Sequence, residues 1–249
     1  MEYKVGNMSM NIIRLDEVDS TNHYLKEHPD ERGENLTVVV ADYQTAGKGQ
    51  GSHSWESERG KNLLFSLRVH PRWVPVRRMF VLSMAEALAI KDALDSYADG
   101  FTLKWPNDIY WHDKKISGSL IETAIDSNGI KSCIFGTGIN INQTEFLSDA
   151  PNPISLRQIV GHEVDREEVL QNILSAFEKY MELLRRADYM DVSGLYHLAL
   201  YRRKGYHLYE DKDGVFEGAF VEVEDDGHLI LHDKQGVIRS YSFGELKFK

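Results

Sequence analysis

Two hydrophobic periods share this chain. Residues 11–15 (Asn-Ile-Ile-Arg-Leu) read as a short strand, and Leu36–Ala41 as a β-branched one. Residues 62–69 form an apolar run that predicts a strand buried on both faces. From 77 to 97 the period lengthens: Phe80, Met84 and Leu88 recur at helical spacing, with Leu94 further on, predicting a long core helix. Residues 101–105 return to a strand pattern that stops at Pro106, since proline holds its predecessor extended. Strands are expected at 109–111, 115–125 and 130–138, the last two joined by the hairpin dipeptide Asn128-Gly129. A second long amphipathic helix is expected over 165–186. Strands, then a helix, then strands again argue for an α+β layer rather than regular βαβ alternation.

The pattern changes near Tyr201-Arg202-Arg203-Lys204-Gly205. Beyond it, short strands are punctuated by Asp213-Gly214, Asp226-Gly227 and Gln235-Gly236, about ten residues apart, as in a small antiparallel barrel. A boundary at 202 therefore divides the chain into a larger domain, 1–201, and a smaller one, 202–249.

Composition narrows the partners. With 39 acids against 29 bases the 249 residues carry a formal charge of −10, and no basic patch stands out, which argues against DNA binding. The single Cys133 excludes an internal disulfide and sits in an apolar run, as an inert buried thiol does. No apolar stretch approaches membrane-spanning length, and no leader pattern opens the chain. A cytoplasmic protein is expected.

Five clusters of glycine or small polar residues terminate the predicted strands. In Gly47-Lys48-Gly49-Gln50-Gly51-Ser52-His53-Ser54-Trp55, alternate glycines let backbone approach a ligand, one cation stands among them, and an indole closes the run. It is neither a Walker loop nor a dinucleotide fingerprint, and alone it is equally a surface loop. Asp19-Ser20-Thr21-Asn22 is helix-capping chemistry or a polar site. Lys104-Trp105-Pro106-Asn107-Asp108 points an amide and a carboxylate off a sheet end, and Lys115-Ile116-Ser117-Gly118 follows; Asp108 and Lys115 are either site groups or a surface ion pair. Gly136-Thr137-Gly138-Ile139-Asn140-Ile141-Asn142 is a glycine bulge or a further close approach.

Taken in order, Asp19-Ser20-Thr21-Asn22, Gln44-Thr45-Ala46-Gly47-Lys48-Gly49, Trp55, Lys104-Trp105-Pro106-Asn107-Asp108, Lys115-Ile116-Ser117-Gly118 and Gly136-Thr137-Gly138-Ile139-Asn140 resemble the biotin protein ligase family from about residue 12 onward. The resemblance implies a catalytic domain related to class II aminoacyl-tRNA synthetases, with a mixed sheet and helices. It also implies a C-terminal barrel similar to the Src-homology-3 type. The implied reaction has two steps: biotin and ATP give biotinyl-5′-adenylate and pyrophosphate, then the acyl group passes to a lysine of a biotin carboxyl carrier domain. About ten residues precede the first strand, so the chain is similar to the ligase-only type without a DNA-binding module, acting as a monomer or homodimer.

The resemblance also assigns roles. Ser20, Thr21, Asn22, Gln44, Gly47, Lys48, Gly49, Gln50, Lys115 and Gly118 would hold biotin. Gln50, His53, Trp55, Asn107, Asp108, Lys115, Asn140 and Lys249 would hold ATP, with Trp55 against adenine and Asn140 at its edge. Lys115 and Lys48 would be the catalytic cations, and Asp108 a neighbour of Mg²⁺. The residue chemistry agrees: Ser20, Thr21, Asn22 and Gln44 suit a neutral ureido ring, and joining a carboxylate to a phosphate needs charge neutralisation rather than a protein nucleophile. Relatives often read Gly-Arg-Gly-Arg where this chain has Gly47-Lys48-Gly49-Gln50, and are often basic at the position of His53. The loss of that guanidinium fork throws phosphate neutralisation onto Lys115, Lys48 and metal. Two alternatives stand beside this reading: a lipoate or octanoate ligase, with a longer apolar tunnel, and a non-catalytic biotin-binding regulator, which would need no phosphate site.

Overall fold

The computed structural model describes residues 2–5, 8–30, 36–49, 51, 54–148 and 150–249. The chain runs β1 (Glu2–Val5), β2 (Met8–Leu15), α1 (Thr21–Glu27), β3 (Leu36–Ala41) and β4 (Leu63–Val69), then α2 (Phe80–Asp95). Next come β5 (Phe101–Lys104), β6 (Asp108–Trp111), β7 (Lys114–Asp126) and β8 (Gly129–Ile139), followed by α3 (Leu156–Val160), α4 (Arg166–Arg185) and α5 (Tyr189–Ala199). Five short strands close the order: β9 (Tyr206–Asp211), β10 (Gly214–Val223), β11 (Leu229–Asp233), β12 (Ile238–Tyr241) and β13 (Lys247–Phe248).

The first eight strands form one mixed sheet, ordered β1-β2-β3-β4-β8-β7-β6-β5. Only β2 and β3, joined through α1, run parallel. Every residue of β4 is buried, as its mainly apolar pattern predicts, because both faces are covered. On one face α1 closes a small cluster of Leu25, Val39 and Ile134. On the other, α2, α4 and α5 pack over the main core, with Phe135 of β8 edge-on to Phe177 of α4 at 5.6 Å. The α+β expectation holds, and so does the second, antiparallel sheet (β12-β11-β10-β9-β13), as for a small Src-homology-3-like domain. That sheet begins at Tyr206.

Three details differ from the sequence reading. The helix expected over 77–97 is a 3₁₀ turn at Val76–Arg78 followed by α2, because extended Pro75 starts the turn and Met79 separates the two pieces. The short helices α3 and α5 escaped the pattern altogether. For α3 a signal existed: Ser155 and Gln158 form a reciprocal capping box, and Gly161 ends the helix at φ 83°. For α5 only Val192 and Tyr196 are buried, too thin a stripe to stand out. Strand β1, paired antiparallel to β2, also escaped it.

The two sheets meet at a specific seam. Trp105 Nε1 donates to Gly227 O at 2.9 Å, and its ring lies 5.4 Å from that of Phe243, which also packs against Phe80. Tyr201 N donates to Leu103 O at 2.8 Å. Through this seam the last strands of the chain reach the mouth of the first sheet.

Candidate active site

A cavity of about 640 Å³ opens on the α1 face of the large sheet and is completed by residues 244 and 246–249 of the small one. Of the residues expected at a site, Ser20, Thr21, Asn22, Gln44, Lys48, Gly49, Trp55, Asn107, Asp108, Lys115, Gly118 and Lys249 line it. Gln50 and His53 lie outside the described residues. Gly47 is set back, its carbonyl accepting Trp55 N at 3.0 Å, so it shapes the base of the loop rather than the wall. Asn140 stands apart as well. Its amide donates to Ile154 O at 3.2 Å and its backbone N to Ile116 O at 2.9 Å, tying the end of β8 to the approach to α3.

At one end of the cavity the polar groups are uncharged. Ser20 occupies the N-cap position of α1, yet its side chain makes no capping bond, so capping does not account for the run. Ser20, Thr21 and Asn22 are all buried. Gln44 Oε1 accepts from Thr21 N at 2.8 Å and lies 3.1 Å from Thr21 Oγ1, while Asn22 Nδ2 donates to Leu120 O at 3.2 Å and Glu122 Oε2 at 3.0 Å. Ser66 Oγ sits 2.7 Å from Thr21 Oγ1 and 2.6 Å from Asn22 Oδ1. Ser66 is fully buried on β4 and was not foreseen. The signal was a lone hydroxyl inside Leu63-Leu64-Phe65-Ser66-Leu67, a position where a buried polar group needs a partner.

The floor is bare backbone. Strand alternation puts Gly136 and Gly138 on the cavity face, and a Cβ at either would overlap a neighbour, Asn22 at the first and the Trp55 ring at the second. That space requirement is why glycine recurs here. Trp55 lies over Gly138 with Lys115 Nζ 5.8 Å from its ring, and its Nε1 is buried without a hydrogen-bond partner among the described residues.

The other end of the cavity is charged. Register pairs Asp108 with Gly118, and a one-residue shift after Ile109 turns Lys115 back so that its Nζ lies 2.7 Å from Asp108 Oδ1. The pair is therefore real, as the simpler reading had it, but it faces into the cavity and not the open surface. Lys104 adds a second ammonium, donating to Tyr110 OH at 2.8 Å and standing over the rings of Tyr110 and Phe248. Burial pushes the Lys104 ammonium below its usual range; Asp108 opposes this, and Lys115 and Arg202 reinforce it. Lys249 lines the same end with its Nζ paired to Glu210. Lys104, at the end of β5, belongs to a cluster singled out above but was given no role there; Gly244 and Lys247 were not among the expected site residues, because nothing in a linear pattern says which turn of a small sheet faces another domain.

Cys133, away from this cavity, is buried on β8, and burial pushes its thiol up to about 12. It is inert, as its apolar surroundings predict.

Comparison with known proteins agrees with this geometry. Residues 15–140 match the Biotin/lipoate A/B protein ligase family. The chain is 32% identical over 250 residues to the bifunctional ligase/repressor BirA of Bacillus spizizenii, covering 96% of this chain and 74% of that protein. It is 29% identical to the biotin–[acetyl-CoA-carboxylase] ligase of Paracoccus denitrificans, covering 89% of this chain and 94% of the relative. The biotin protein ligase from Aquifex aeolicus, solved in complex with biotin and ATP, superposes with a TM-score of 0.79 at 29% identity, covering 96% of this chain and 99% of that one. These likenesses define an enzyme of the ligase class. The chain belongs to the Biotin/lipoate A/B protein ligase family.

Proposed function

We propose that this enzyme is an ATP-dependent biotin protein ligase, which activates biotin as biotinyl-5′-adenylate and passes the acyl group to a lysine of a biotin carboxyl carrier domain. One observation carries the reading. A single cavity has uncharged hydrogen-bonding groups at one end (buried Ser20, Thr21 and Asn22, with half-buried Gln44) and cations at the other (Lys48, Lys104, Lys115). A cyclic urea with an anionic tail, set against a triphosphate, has that same division of charge.

In the first step a carboxylate oxygen of biotin attacks the α-phosphorus of ATP. A C–O–P linkage forms, the bond to the β-phosphate bridging oxygen breaks, and pyrophosphate leaves. Two anions must approach, so alignment and cancellation of charge supply most of the acceleration. Lys115 is the group best set for this: Asp108 holds it at the cavity, and incoming phosphate and carboxyl oxygens offer a second partner at the same place. Lys48, exposed at the glycine loop, closes from the other side. Asp108 is one partly buried carboxylate beside cations, a donor that would suit Mg²⁺ carried mainly by phosphates, and an ion held there would supply positive charge to the phosphate oxygens. In the second step a neutral lysine amine of the acceptor attacks the acyl carbon and AMP leaves with the bonding pair.

Trp55 stacks against the adenine in this reading, and Lys249 reaches its phosphates from the small sheet. A requirement for ATP supports the cytoplasmic location expected from the sequence.

The test is ATP–pyrophosphate exchange run in parallel with biotin, lipoate and no added acid. Biotin-dependent exchange, followed by labelling of a carrier domain, is expected. Exchange driven by lipoate alone overturns the substrate, and biotin binding with no exchange leaves only a regulator.

A further inference from the structure

Behind the cavity, on the opposite face of the sheet, lies a carboxyl that the reaction above does not use. Glu86 of α2 is 2% exposed. Ser119 Oγ of β7 and Thr137 Oγ1 of β8 donate to its Oε1 at 2.6 and 2.7 Å. These two residues are directly paired across the strands, and alternation puts them on the face away from Gly118, Gly136 and Gly138. Burial raises the Glu86 carboxyl to about 7, and the two hydroxyls oppose that rise. A carboxyl costs more to bury than the leucines and alanines around it on α2, so packing alone does not explain it.

What it supports lies one rung further along the sheet. Ser119 N donates to Asn107 O at 2.9 Å, and Asn107 Nδ2 donates back to Ser119 O. The next residue, Asp108, faces Lys115 at 2.7 Å. Glu86 thus reaches the charged end of the cavity through Ser119 and Asn107. The uncharged end has its own holds: Thr21 is held by Gln44 and Ser66, and Asn22 by Ser66 and by two bonds to β7, at Leu120 O and Glu122 Oε2.

We propose that Glu86 is a positioning residue for the nucleotide side of the cavity: it anchors Ser119 and Thr137 from behind and so fixes the Asn107–Asp108 corner opposite Lys115. The inference rests on reading that corner as part of an ATP site. It separates Glu86 from an ordinary buried acid by where its loss is felt.

The test uses the full chain with Glu86→Leu, which removes the acceptor at similar size, and Glu86→Gln, which keeps an acceptor oxygen. In biotin-dependent pyrophosphate exchange, Glu86→Leu is expected to raise the KM for ATP by about tenfold, the size of one lost buried hydrogen bond, and the KM for biotin by less than about threefold. Glu86→Gln should restore most of the ATP value. Equal rises in both constants, or a fall in folded fraction with both constants intact, overturn the proposal. Should Glu86→Leu not fold, Ser119→Ala is read by the same criteria. Hydrogen exchange provides a readout independent of substrate. Protection of the Ser119 amide should fall about tenfold in Glu86→Leu and survive in Glu86→Gln, while the Val39 amide, between β3 and β4, stays protected. Equal loss at both amides overturns the anchoring. If the wild-type chain performs no exchange yet this contrast appears, the reading of the site falls and the anchoring stands.

Discussion

Gly136 of β8 lies so close beneath the side chain of Asn22 that no Cβ fits between them. Asn22 is also held by Ser66 and by the carbonyl of Leu120, so it has nowhere to retreat. Gly136→Ala is therefore expected to displace Asn22 and raise the KM for biotin by at least about tenfold, since a buried polar group loses its partners. Steady-state kinetics at saturating ATP measure it, and an unchanged constant removes Asn22 from the biotin pocket. Gly194, on α5, makes the contrast. A Cβ there meets nothing within 4 Å, so Gly194→Ala should stabilise the chain by about 0.4–1 kcal/mol without kinetic effect.

Among the described residues Lys115 is paired with Asp108 and stands near the Trp55 ring, and the proposed chemistry gives it a further partner. Lys115→Ala is expected to lower biotin-dependent pyrophosphate exchange by on the order of 10²-fold or more, as for other groups that stabilise developing charge. Stability should change little, because the pair is partly exposed. Exchange rates beside a thermal melt separate the two effects; retention of exchange within about threefold removes Lys115 from the reacting centre.

Glu86 links stability to pH. Its carboxyl stands at about 7 in the folded chain against 4.5 unfolded. Because the folded value is the higher one, the favourable contribution is complete below about 4.5 and is lost as pH rises toward 7. The unfolded chain releases its proton first, and the loss amounts to roughly 3 kcal/mol. Cys133 is the titratable neighbour coupled to it and stays protonated throughout this window. Urea unfolding at pH 5 and pH 8 should show a steeper loss in wild type than in Glu86→Gln. Parallel slopes in the two proteins refute the assignment.

Trp105 pins the seam between the sheets with one hydrogen bond and one aromatic contact, at 4% exposure. Trp105→Ala is expected to cost about 3–5 kcal/mol and to split the unfolding transition, the smaller sheet melting first. Calorimetry resolves this; a single transition of unchanged midpoint shows the seam to be weaker than its contacts suggest.

Much of this architecture was legible because single segments bury their own faces. The mainly apolar run at Leu63–Val69 marked a strand covered on both sides, and Asn128-Gly129 marked the turn between β7 and β8. Ser20, Thr21 and Asn22 could be suspected as more than a cap, but only burial and Ser66, forty-odd residues away, distinguish the two readings. Glu86 was hidden for the opposite reason: an acid in a mostly apolar helix looks like part of an exposed face until Met84–Ile90 are seen to be buried throughout. Gly244 and Lys247 reach the cavity through the seam, a relation between domains that no local period encodes.

The cavity draws on positions from 20 to 249, nearly the whole span of the polypeptide. During synthesis the larger sheet has every strand it needs well before residues 244–249 emerge, yet its cleft stays open along one side until they arrive. A nascent chain at that stage has the platform of the cavity without the side that residues 244 and 246–249 close.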